Sequence, residues 1–133
     1  MVKVLIHTDT RYPVNRKIIR KAILDTFSKQ QIGRLDTEIS VAVVGKRKMD
    51  DLSKKFLDDE NEHEVLAFAL EEVTQKNKRG FVSLPDGILR LGDVVLCWPY
   101  VVDLAAKDNI MVDEELAYLV GHGAEHLIGK HHE

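Results

Sequence analysis

ELAYLVGHGAEHLIGKHHE, residues 115–133, is the stretch around which the rest of the chain is organised. From Leu116 to Leu127 almost every side chain is apolar or absent, a pattern that predicts a helix buried on most of its circumference. His122 and His126 interrupt that run. They are four residues apart, about 40° around a helix, so both imidazoles project from one face in adjacent turns and can share a ligand. Two unpaired imidazoles in an apolar helix are costly unless something binds them. Gly129 is expected to end the helix, because glycine takes the left-handed conformation without a side-chain clash. A turn there lets His132 fold over the point that His122 and His126 address, with His131 as the competitor for that role. Three histidines and one open position describe a catalytic zinc site, whereas a structural site is usually closed by four protein ligands.

A metzincin protease has the same spacing of histidines and glycine, but it needs a glutamate directly after the first histidine as general base. Here that position is Gly123. Glu125 is the single acid inside the motif, about 60° from His122 on a helix, and is the candidate catalytic side chain near the metal.

The chain has 133 residues and fits one domain, residues 1–133, with one core. Its 44% hydrophobic and 31% charged content are those of a soluble globular protein. No apolar run approaches the roughly 20 residues that span a bilayer, and the first residues lack the apolar centre of a signal peptide. The expectation is no membrane association. The single cysteine, Cys97, rules out an internal disulfide framework, agrees with a cytoplasmic location and reads as an inert buried thiol. Net charge is −3, but residues 1–34 carry eight basic side chains against Asp9 and Asp25, a local excess that can address phosphate.

Taken in order, Val2–His7 predicts a first strand and Asn15 caps a helix from Arg16 to Phe27, with Arg16, Lys17, Arg20 and Lys21 on a solvated arc. Glu38–Val44 alternates as a second strand closed by Gly45, and Lys46–Phe56 follows as a short helix that begins with Lys46-Arg47-Lys48. Asp58–Glu64 is an acidic loop, Val65–Leu70 a third strand and Glu71–Gly80 a polar excursion. Leu89–Cys97 is the fourth strand, with Gly92-Asp93 marking a bulge or close approach. Pro99 opens a helix over Tyr100–Lys107, Asn109 ends it, and Asp113 caps the histidine helix. The result is an α+β domain: a mixed sheet of about four strands, surrounding helices and a buried metal-binding helix.

HGAEHLIGKHH resembles the HGxLHLxGxDH signature of the YbeY family, metal-dependent endoribonucleases of ribosomal RNA maturation. The likeness extends to ELAYLVGHG, to LGDVVLC followed by Trp98 and Pro99, and to VLAFAL, and covers the chain from about Val41 to His132. It implies zinc held by His122, His126 and His132, and a zinc-bound water acting on single-stranded or ribosomal RNA, with ribosomal proteins as further partners. The sequence departs from the family pattern YRxxDxxTDVLSFP at the arginine, which is Leu57. His63, Glu64, Ala67 and Ala69 replace its Thr, Asp, Ser and Pro, Glu125 replaces the Leu of the histidine motif, and His131 replaces the Asp. Arg11, Lys46 and Arg90 are the candidates to replace the missing guanidinium. The leading expectation is a zinc-dependent endoribonuclease. The alternatives are a catalytically weak relative that binds ribosomal RNA or a ribosomal protein, and a metal-dependent hydrolase of a small substrate.

Overall fold

A computed structural model describes residues 1–30, 36–70 and 88–132, the last three as backbone alone. The predicted excursion at 71–80 therefore lies outside the described residues, as do the side chains of His131 and His132. The described elements are β1 (Val2–Thr8), α1 (Arg16–Lys29), β2 (Thr37–Val44), α2 (Lys46–Leu57), β3 (Val65–Ala69), β4 (Leu89–Cys97), α3 (Trp98–Asp108) and α4 (Val112–His132). The sheet runs β1-β2-β4-β3, with β1, β2 and β4 parallel and β3 antiparallel on the outer edge. This is the mixed four-stranded α+β domain expected from the pattern. Asp58–Glu64 forms no helix or strand, as predicted.

Alternation in the strands sorts the helices into layers. In β2, Ile39, Val41 and Val43 are buried with Ile19, Ile23 and Phe27 of α1 and with Leu116, Val120 and Leu127 of α4. The residues between them, Ala42 and Val44, pack on the other face with Met49 and Leu52 of α2. A period of two in the strand thus sends neighbouring side chains to opposite layers. Val94 and Leu96 of β4 join the first cluster, while Val95 and Cys97 join the second. Cys97 is free and buried in the core, as expected, and burial pushes its thiol pKa up.

Two local devices fix the helix facing the sheet. The Asn15 side chain accepts from the Lys17 and Ile18 amides and caps α1, and its own amide nitrogen donates to Asp113 Oδ2 at 3.1 Å. One side chain therefore starts α1 and ties it to the first turn of α4. In β4 the register slips between Glu38 and Ile39, so that Arg90 and Gly92 are their successive partners and Leu91 is the extra residue of a bulge. Gly92 has φ +136°, and a Cβ there would lie 2.1 Å from the Phe68 carbonyl oxygen. Only glycine allows β3 to approach at that point. No described helix is long and apolar enough to cross a membrane.

Candidate metal centre

α4 buries one arc and leaves the other in water. Leu116, Leu119, Val120, Ala124, Leu127 and Ile128 are buried against the sheet and α1. Gly123 faces β4 so closely that a Cβ on it would lie 2.8 Å from Val94 Cγ1. The position that carries the base in a protease is therefore pressed onto the sheet and has no room for a side chain.

His122, Glu125 and His126 stand on the other side, and all three are exposed. This corrects the expectation of histidines within a mostly buried circumference. The apolar run from Leu116 to Leu127 contains two glycines and two alanines, so the large side chains number too few to bury a full turn. The imidazoles fall at the edge of the apolar arc. Among the described residues neither ring makes a hydrogen bond; the His122 ring lies 6.2 Å from that of Tyr118, centroid to centroid, at an interplanar angle of 12°.

The second correction concerns Gly129. The helix does not stop there but continues to His132. Gly129 is exposed, and an added Cβ would meet nothing within 4 Å. Among the described residues nothing packs on Gly129 to force the chain out of the helix. Along a continuous helix position 132 is about 9 Å beyond His126 and turned about 240° from it, so the backbone does not bring His132 onto the His122–His126 edge.

The fit to a metal is consequently partial. Two imidazoles at i and i+4 on an exposed edge are suitable nitrogen donors for zinc. Among the described residues, no His, Cys, Asp or Glu joins them in a set of three able to hold a metal ion. His131 and His132 follow further along the same helix, with their side chains outside the described residues.

Beside His122 a cleft of about 480 Å³ opens between α1 and α4, with Thr26, Lys29, Tyr118, Gly121 and Glu125 among its lining residues. Lys29 is its cation. The expected replacements for the family arginine lie elsewhere. Arg11 and Lys46 line a different crevice of about 580 Å³, beside the end of β1 and the start of α2. Arg11 grips Asp9 with its Nη2 at 2.7 Å from Oδ2, and that hydrogen-bonded guanidinium holds the Asp9 carboxyl down to about 2. Arg90 pairs with Glu38 at 3.4 Å. Leu57, at the position where the family pattern has arginine, is 48% exposed at the end of α2.

Two features escaped the sequence. Lys46, Arg47 and Lys48 converge with Arg11 on the one crevice although 35 residues separate Arg11 from Lys46, a juxtaposition only the parallel pairing of β1 and β2 creates. Glu115 is 2% exposed, and among the described residues its Oε1 has no hydrogen-bond partner. Burial first, then a hydrogen bond to Asp108 and the charges of Asp108 and Glu64, push its carboxyl up to about 7. Tyr118 had a signal: it precedes His122 by four residues and so shares its edge of the helix.

The family model described as Endoribonuclease YbeY matches residues 6–133. The chain belongs to the YbeY family. An endoribonuclease YbeY of Corynebacterium diphtheriae is 35% identical over 97 residues, which cover 73% of this chain and 49% of that protein. One from Dehalococcoides mccartyi is 26% identical over 136 residues, covering 99% of this chain and 84% of its own length. The chain thus spans about half the length of the corynebacterial YbeY relatives. Its fold matches the solution structure of TM1509 from Thermotoga maritima with a TM-score of 0.55 at 20% identity, over 96% of this chain and 71% of that one.

Proposed function

We propose that this YbeY-family chain is a zinc-dependent endoribonuclease that cuts single-stranded RNA, with ribosomal RNA maturation in the cytoplasm as its setting and ribosomal proteins as further partners. The observation that carries the reading is the His122–His126 pair, two exposed donors in adjacent turns of α4 with no hydrogen-bond partner among the described residues. Membership of a family whose curated relatives are named endoribonucleases supports it. His122 and His126 hold the metal in this account, and His132 closes the set. For His132 to do so the last turn has to leave the helix, and Gly129 is where glycine permits that at least cost.

Zinc held there supplies Lewis acidity toward water and toward the phosphate oxygens of RNA. The chain's own residues do the rest. Gly123 keeps the backbone of α4 against β4, which sets the height of both imidazoles above the sheet. Glu125 shares their exposed side, and its role in this account is to take or return a proton there. Arg11 and Lys46–Lys48 gather positive charge on a separate crevice, where the backbone of a longer RNA can be held. That concentration of cations away from the histidines also favours a second reading, an RNA-binding relative with weak or no cleavage.

Cleavage of a single-stranded RNA separates the two. The zinc-loaded chain is expected to cut it, chelation to stop cutting and returned zinc to restore it, with His122→Ala inert throughout. Glu125→Gln should retain zinc and lose about 10²-fold in rate. Equal cleavage by wild type and His122→Ala would leave the binding role standing.

A further inference from the structure

Tyr118 is 66% exposed, and among the described residues it is the most exposed aromatic side chain. Its ring contributes little to the core, yet it borders the cleft between α1 and α4, beside His122. The two rings are close to parallel, but their 6.2 Å centroid separation means that they are offset and in partial contact only. Part of the phenol face is left free for another planar group.

The cleft has the shape and chemistry for one. Gly121 lets the helices close in, since a Cβ there would lie 3.3 Å from Thr26 Oγ1. At about 480 Å³ the space is within the range of small-molecule pockets and suits a single heterocycle. The Thr26 hydroxyl donates to the Ala22 carbonyl at 2.8 Å and so faces a ligand as an acceptor. Lys29 offers a donor and Glu125 an acceptor. Asp25, which also lines the cleft, is occupied by Lys21 at 2.7 Å. With Asp25 held by Lys21, and Glu125 facing Lys29, the charges at the cleft come close to balance and leave no positive excess to draw a phosphate. An aromatic wall with neutral and mixed-sign edges is instead suited to a base.

We propose that the cleft between α1 and α4 is a nucleobase subsite, in which an unpaired base beside the phosphodiester addressed from the His122–His126 edge stacks on Tyr118 with Lys29 and Glu125 at its rim. The inference rests on RNA being the substrate, and it gives that reading a basis for preferring single strands. A base inside a duplex has no free face to offer the ring.

The test uses the full chain with zinc removed by a chelator, so that binding is read apart from catalysis. The probes are a short single-stranded oligouridylate and oligoadenylate, followed by fluorescence anisotropy. Tyr118→Ala is expected to weaken binding by about ten-fold for both, and Tyr118→Phe to bind as wild type, because stacking needs the ring and tolerates any base. The dependence of affinity on salt should not change in Tyr118→Ala, since no phosphate contact is lost. Wild-type affinity in Tyr118→Ala would overturn the subsite while leaving RNA as the ligand. A Tyr118 that serves only to prop the His122 ring would show weaker zinc binding in Tyr118→Ala with unchanged RNA affinity, and that result overturns the subsite too. Absence of RNA binding by the wild-type chain, with or without zinc, overturns both this inference and the function on which it rests.

Discussion

The two sides of α4 obey different rules. On the side of the sheet, Leu116, Val120, Ala124 and Leu127 are almost completely out of water, and even a methyl group on Gly123 would collide with Val94. On the other side, Tyr118, His122, Glu125 and His126 are exposed and contribute little packing. The contrast shows that one helix divides its work along its circumference. The buried arc fixes where the helix lies, and the exposed arc is free to carry groups chosen for chemistry. Mutations on the two sides should therefore separate stability from metal and RNA binding.

The largest effect belongs to the buried arc. Leu116→Ala removes a fully buried side chain from the cluster shared by α1, β2 and α4 and should cost about 2–5 kcal/mol in urea unfolding. A loss as small as that of a surface change would mean that α4 is not packed as described.

Next comes the one buried acid on this helix. Glu115 has its pKa raised from 4.5 to about 7 in the folded state, so the unfolded chain releases this proton first as pH rises. An acid shifted in that direction loses stability between about pH 4.5 and 7, and the loss is complete above that window. Glu115→Gln carries no proton to release, so relative to wild type it should gain stability progressively from pH 4.5 to 7 and hold the gain above. Parallel pH profiles for the two chains would contradict the burial of an uncompensated carboxyl.

Gly123→Ala should cost about 1–3 kcal/mol through overpacking against Val94. The smallest expected effects on stability are those of His122→Ala and His126→Ala, within about 0.5 kcal/mol of wild type, because neither side chain packs in the core. A large loss at either histidine would break the division between the two arcs.

Much of this was legible in the sequence because it rested on periodicity. Alternation in Glu38–Val44 marked β2, which the structure begins one residue earlier at Thr37, and Gly92-Asp93 marked the bulge where β3 approaches. The pairing of His122 with His126 followed from spacing alone. What escaped depended on neighbours that spacing does not encode. The exposure of the histidines is set by how α4 rolls on the sheet, which small residues at 121, 123 and 124 permit. Glycine favours helix ends, which is the reason to expect a stop at Gly129, but a helix ends only where caps or packing compete for its backbone, and among the described residues nothing packs on Gly129. The separation of Arg11, Lys46 and Arg90 from the histidine edge needed the layer assignment, since Lys46 starts the helix on the opposite face of the sheet.

The central claim is that the exposed His122–His126 edge holds zinc, and metal stoichiometry tests it most directly. Native mass spectrometry of the wild-type chain titrated with zinc, beside His126→Ala at the same concentrations, reads occupancy without relying on activity. The account predicts about one tightly held zinc per wild-type chain and none in His126→Ala, with both chains equally folded. Equal occupancy in the two folded chains would contradict it.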